Sequence, residues 1–340
     1  MNKEFLGQVF TPSFIVDKMI NLISLKNPCL ILEPSSGGGA FYNVLIQKYK
    51  NVVGVEVDRT IAHEKAVIKS YFNTNYKPDV IIGNPPYVAF KNIIEKLESN
   101  FLNHKPNLFY FFLEKALNDL REDGELIFIT PASIFMNTSP KKLNKWIYDH
   151  FSITHFEQIP EDVWENASIP TAIVKIVKTK NHKDKINYYF SNGKIFFGKK
   201  IFFNEKIIVK VGGASGFNSK LEKGKTAFVV SSTERDGQLK LIKYEPRTWI
   251  RPVPSPPEEF TYQIFVNCKT RNEKPFYMLK IQTKNTFINY DASVLCLFVN
   301  CTKTEALSLV KKLNSINWEQ KGIKQDGRFH FSQSVLQAIL

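Results

Sequence analysis

Short apolar runs that end in chemistry-bearing residues recur along the first half of this chain, and that recurrence narrows the fold more than any other feature. Cys29 to Leu32, Val52 to Val57, Val80 to Ile82 and Leu126 to Ile129 are brief and apolar, as strands buried on both faces are. Between and before them lie helical spacings: Phe14 to Leu25, Ala40 to Tyr49 and Leu108 to Leu120. Such alternation predicts an α/β, Rossmann-like parallel sheet with helices on both faces. Ile153 to Phe156 and Thr171 to Val177 lie close together with no good crossover helix between them, which predicts an antiparallel hairpin at the sheet edge. In sheets of this kind ligands gather beyond the carboxyl ends of the strands, so the residues after each run are the candidates for chemistry.

The first run is followed by Glu33-Pro34-Ser35-Ser36-Gly37-Gly38-Gly39-Ala40-Phe41. Glycines let a backbone approach a ligand closely, and a strand-end carboxylate can accept from an ammonium or a hydroxyl. The second run holds Glu56, about twenty residues on, where an acid can accept from both ribose hydroxyls of a nucleoside cofactor. The third run ends in Asn84-Pro85-Pro86-Tyr87, a tetrapeptide that chance would place in only ~0.3% of chains this long. A conjugated amine is a poor nucleophile because its lone pair is delocalised. Two acceptors on its hydrogens favour the pyramidal, reactive form, and the Asn84 side-chain oxygen and the Pro85 carbonyl can supply them from a loop that proline stiffens. Tyr87 offers a face for a planar base, worth ~1 to 3 kcal/mol.

The net charge of +14 is unevenly divided: residues 1–180 hold 20 Lys and Arg against 19 Asp and Glu, and residues 181–340 hold 26 against 13. The second half is therefore suited to a polyanion. After Lys180 the pattern changes to short β-like runs punctuated by Gly212-Gly213, Gly216 and the Pro252 to Pro257 stretch, with a helix at Lys303 to Asn314. Two domains, 1–180 and 181–340, are expected, the second mixed α+β. Cys29, Cys268, Cys296 and Cys301 show no metal-ligand spacing. They are expected to be reduced core thiols, and no metal is expected. With no apolar run at its start and no stretch long enough for a membrane, the chain is expected to be soluble and cytoplasmic.

In order and in kind these segments resemble the gamma class of N6-adenine DNA methyltransferases, the Thermus-type and Eco57I-like restriction-modification methylases. The matching residues are Gly7 to Pro12, Glu33 to Phe41, Glu56, and Asn84 to Tyr87, followed by Asn107 to Phe112 and Ile129 to Ser133 as scaffold. The resemblance implies a methyltransferase sheet followed by a target-recognition domain. It implies S-adenosyl-L-methionine as cofactor, held by Thr11, Pro12, Glu33, Pro34, Ser35, Ser36, Gly37 and Glu56. It also implies an adenine flipped out of duplex DNA onto Asn84, Pro85, Pro86 and Tyr87, with Trp164 as the second ring of the sandwich. The acid that reads the cofactor adenine in the family has no counterpart between Thr60 and Pro78, where Ser70-Tyr71-Phe72-Asn73 stands instead. Arg235, Arg247, Arg251 and Arg271, with the Val209 to Gly216 and Gly327 to Phe331 segments, are candidates for DNA contact. A monomer is expected, and whether a cognate restriction endonuclease accompanies it is open. The alternatives are an RNA adenine or protein-glutamine methyltransferase, or a catalytically silent DNA-binding specificity subunit.

Overall fold

The four apolar runs lie side by side. In the computed structural model, β1 (Ile31–Glu33), β2 (Val52–Glu56), β3 (Val67–Ile68), β4 (Val80–Gly83), β5 (Glu125–Pro131), β6 (Ser152–Ile159) and β7 (Thr171–Val177) form a seven-stranded sheet in the order β3-β2-β1-β4-β5-β7-β6. β1 pairs in parallel with β2 and β4, and β4 with β5. β7 runs antiparallel between β5 and β6, the expected edge hairpin. The structure describes residues 10–164, 170–213, 226–233, 239–244, 252, 254–279, 287–325 and 327–340. Residues 7–9, 165, 166 and 214–216, with Arg235, Arg247 and Arg251, lie outside the described residues.

Both faces of the sheet are covered, which is why the runs are continuous rather than alternating. Leu32, Ile81, Leu126 and Phe128 enter one core with Phe109, Leu113 and Leu117 of α3 (Leu108–Asp119), while Ile31, Val80, Ile127 and Ile129 enter the other. That second core also takes Ile15, Val16, Met19 and Ile20 of α1 (Ser13–Ile20) and Leu45 of α2 (Tyr42–Lys48). α1 stops at Ile20, short of the Leu25 end that periodicity suggests. The chain leaves the helix there and brings the Leu22 carbonyl and Ser24 hydroxyl to the buried Lys175 ammonium, at 2.7 and 2.8 Å. α4 (Lys141–His150) was not expected from the pattern, because it buries only a narrow stripe, Leu143, Asn144 and Ile147.

The chain divides into two units, Met1–Gly198 and Lys199–Leu340. The first thus runs beyond Lys180, because a hairpin of β8 (Tyr188–Ser191) and β9 (Lys194–Phe197) returns Ile195 and Phe197 to its core. Phe197 stacks on Phe156 with centroids 4.2 Å apart, and the turn at Asn192-Gly193 has the two positive φ values a tight hairpin requires. In the second unit, Ile207–Val211, Val294–Val299, Tyr262–Asn267 and Tyr277–Leu279 form an antiparallel sheet. The helix Lys303–Asn314, closed at its start by a Thr302/Glu305 capping box, completes the mixed α+β character. This unit holds 23 Lys and Arg against 12 Asp and Glu, a net +11. The cysteines are not all core thiols: Cys29 is exposed and Cys268 and Cys301 are partly so, leaving Cys296 as the buried thiol among four cysteines that form no disulfide. Cys29 sits ahead of β1, where its N–H, like that of Leu30, is held by the Asp79 carboxylate outside the core.

Candidate active site

The order of the strands sets the order of the chemistry. Along one rim the carboxyl ends present Asn84 after β4, Glu33 on β1, Glu56 on β2 and Ser70 after β3. All four line a single cavity of about 900 Å³, ample for a nucleoside-sized ligand.

Glu33 is 2% exposed, and its Oε2 has no hydrogen-bond partner among the described residues. Burial holds its carboxyl well above the usual glutamate range, the nearby Glu56 charge adds to that, and the Tyr42 backbone amide pulls the other way. A buried carboxylate oxygen left unpaired is costly, so a donor entering the cavity has a place prepared for it. The buried Ser36 hydroxyl on the same wall is likewise without a partner among the described residues. Both orphans fit a zwitterionic, donor-rich ligand end such as the amino-acid part of S-adenosylmethionine.

Glu56 is already engaged. Its Oε2 accepts from the Gly37 N–H at 2.8 Å, and its Oε1 from the N–H groups of Val57 and Asp58, both at 2.9 Å. Three of about four acceptor sites on the carboxylate are used, so Glu56 shapes the glycine turn and keeps about one acceptor site for a ligand hydroxyl. Gly37 adopts φ +49, a conformation that side chains resist, and the Cβ it lacks would lie 3.9 Å from Ile61. Pro34 and Ser35 also form the wall.

At the β4 end, the Asn84 Nδ2 donates to Thr11 Oγ1 at 3.3 Å, and the Asn84 carbonyl accepts from the Ser35 hydroxyl at 3.4 Å. Thr11 and the 84%-exposed Phe10 thus stand at the cavity. Pro12 does not line it and instead starts α1, its carbonyl accepting from Ile15 and Val16 at 3.0 and 3.1 Å. Pro86 is on the wall, while Pro85 and Tyr87 lie off it. The Tyr87 ring meets Phe109 edge-on at 5.6 Å, and its hydroxyl is buried without a partner among the described residues.

Trp164 is not brought to the site. Its side chain is 7% exposed, belongs to the core beneath α1, and donates from Nε1 to Thr171 Oγ1 at 2.8 Å. Residues that sequence reasoning did not assign close the far end: Ile61, Ser70, Phe72, Ile93, Ile94 and Glu95. The 70–74 turn is pinned by Tyr71, whose hydroxyl donates to Asp119 at 2.9 Å, and by Lys115, which donates to the Thr74 carbonyl at 3.0 Å. A signal was present in Ile93-Ile94, two apolar residues between Lys91-Asn92 and Glu95-Lys96 with no strand or helix to bury them. Among the described residues no cluster of three or more His, Cys, Asp or Glu could hold a metal ion.

Residues 39–164 match the sequence model of the Eco57I restriction-modification methylase family. This segment is similar to the methylases of that family. The matched segment includes Glu56 and the Asn84 box, while Thr11 and Glu33 precede it. Two similar relatives from Haemophilus influenzae, the type II methyltransferases M.HincII and M.HindII, are each 40% identical over 199 residues, 54% of this chain and 39% and 38% of their own lengths. The type II methyltransferase M.AccI of Acinetobacter calcoaceticus is 30% identical over 217 residues, 55% of this chain and 39% of its own. The chain thus spans about two fifths of the length of these relatives.

Proposed function

We propose that this chain transfers a methyl group from S-adenosyl-L-methionine to the N6 amine of an adenine flipped out of duplex DNA, as the modification activity of a restriction-modification system. The observation that carries the reading is the orphaned Glu33 carboxylate in the same cavity as Asn84. One group calls for a cationic ligand, and the other suits an amine. Glu33 and Ser36 would hold the amino-acid end of the cofactor, and the Gly37 turn with Glu56 would hold its ribose. When bound, S-adenosylmethionine supplies an electrophilic methyl on a sulfonium sulfur.

The chain's own part is geometric. Thr11 accepts from the Asn84 Nδ2 and so leaves the Asn84 Oδ1 to accept from the target amine. The Pro85 carbonyl is the second acceptor, and together they draw the lone pair out of the ring and fix its direction. Tyr87, braced edge-on by Phe109, is the stacking face beside the cavity rather than part of its wall. The proton shed by the amine leaves to solvent. An adenine paired inside a duplex is out of reach, so it has to be extruded at a cost of a few kcal/mol. The basic Lys199–Leu340 unit is the source proposed for the phosphate contacts that offset this.

The test is transfer of radiolabelled methyl from S-adenosylmethionine to unmethylated duplex DNA, with product nucleosides separated and Asn84→Ala as control. Label in N6-methyladenine, reduced at least about a hundredfold by Asn84→Ala, is the expected result. Cofactor binding without label in DNA would refute the reading and direct the search to RNA and protein acceptors.

A further inference from the structure

Ser70 and Glu95 meet at the β3 end of the cavity, where the Ser70 hydroxyl donates to Glu95 Oε2 at 2.9 Å. We propose that Glu95, oriented by Ser70, accepts the exocyclic amine of the cofactor's adenine and so makes the site selective for an adenine nucleoside over a 6-oxo purine. This rests on reading the cavity as the S-adenosylmethionine site.

The strand order places the base. If the ammonium lies at Glu33 on β1 and the ribose at Glu56 on β2, the base comes next along the rim, beyond β2 toward β3. A purine needs apolar surface on its faces and a hydrogen-bond partner at its edge. That end of the cavity has both. Ile61, Phe72 and Ile93 line it, with Phe72 held edge-on against Phe112 at 4.9 Å and 76°. Ile94 is 80% exposed at the same place, an apolar side chain that a bound base would cover.

The Ser70 to Asn73 turn carries no acid of its own. The acid comes from a different segment. After the Asn84 box the chain makes a short 3-10 turn, Phe90–Asn92, and returns across the rim to set Glu95 against Ser70. Ser70 occupies one carboxylate oxygen, and the other is open to an amine. A 6-oxo purine would turn a carbonyl toward that carboxylate, acceptor against acceptor. A shared segment explains why the box and the base end are linked: Asn84 and Glu95 are only one short loop apart in sequence, at opposite ends of one ligand.

The experiment is calorimetric binding of S-adenosylhomocysteine and its deaminated counterpart, S-inosylhomocysteine, to the full chain and to Glu95→Gln and Ser70→Ala. Glu95 is exposed, so its substitution should leave the fold intact, which a melting curve verifies. The wild type should prefer the adenosyl ligand by about tenfold or more, and Glu95→Gln should remove most of that preference, because its amide can donate to the 6-oxo group. Ser70→Ala should reduce it less. A preference unchanged in Glu95→Gln overturns the proposal and leaves the cofactor reading standing. A wild type that binds neither ligand overturns both.

Discussion

Replacing Glu33 by glutamine should make the empty protein more stable and the ligand-bound one weaker. In the unfolded chain Glu33 ionises near the ordinary value of 4.5, whereas burial raises it well above that in the fold. Between those two values the folded state holds a proton that the unfolded chain has released. Stability therefore falls as pH rises through this window, by up to ~1.4 kcal/mol per pH unit, until the folded group also ionises. Glutamine cannot ionise, so the variant escapes this loss. At pH 4 the two proteins should unfold at similar urea concentrations, and above neutrality Glu33→Gln should be the more stable by roughly 1 to 3 kcal/mol, the usual penalty for an unpaired buried polar group. Binding changes in the opposite sense. A hydrogen bond between charged partners contributes about 1.5 to 3 kcal/mol, so S-adenosylhomocysteine should bind roughly ten- to a hundredfold more weakly to the variant. Wild-type affinity should rise with pH as Glu33 ionises, while that of the variant should not follow this titration. Urea titrations from pH 4 to 8, with calorimetry at each pH, measure both quantities. A variant less stable than wild type at neutral pH, or one that binds the ligand as tightly, would refute the reasoning.

Two other substitutions test what the fold implies. Trp164→Phe removes the hydrogen bond to Thr171 and some core volume, and should cost about 1 to 2 kcal/mol in urea while leaving methyl transfer per folded molecule unchanged; a selective loss of transfer would return Trp164 to the site. Lys175→Met strips the buried Glu125 of an ammonium 3.1 Å away, and should destabilise by about 3 to 5 kcal/mol. Adding Glu125→Gln in the same chain should restore much of that loss, and failure to do so would show that the ammonium's bonds to Leu22 and Ser24 matter more than the ion pair.

Much of the molecule was legible in the sequence for a simple reason. Strands buried on both faces have to be apolar throughout, so β1, β2, β4 and β5 announced themselves, and each ended on the rim where a ligand gathers. Glu33, Glu56 and Asn84 could be picked out because each follows such a run directly, and position after a strand is local information. The side-chain partners were not local. Whether Glu33 would find a partner depended on the packing of three strands around it, and its orphaned oxygen appears only when they are assembled. Glu56 looked free for a diol, yet the glycine turn folds its own amides onto it. Trp164 looked like a second stacking ring because an aromatic residue at a hairpin is ambiguous until the hairpin is placed, and here its indole points into the core. Strand and helix periodicity, the acidic strand ends and the Asn84 box were therefore determined by the sequence alone, since each rests on neighbours within a few residues. The meeting of Thr11 with Asn84 and of Ser70 with Glu95, and the cavity they share, were decided by the tertiary structure, because they join residues 73 and 25 positions apart that only the sheet brings together.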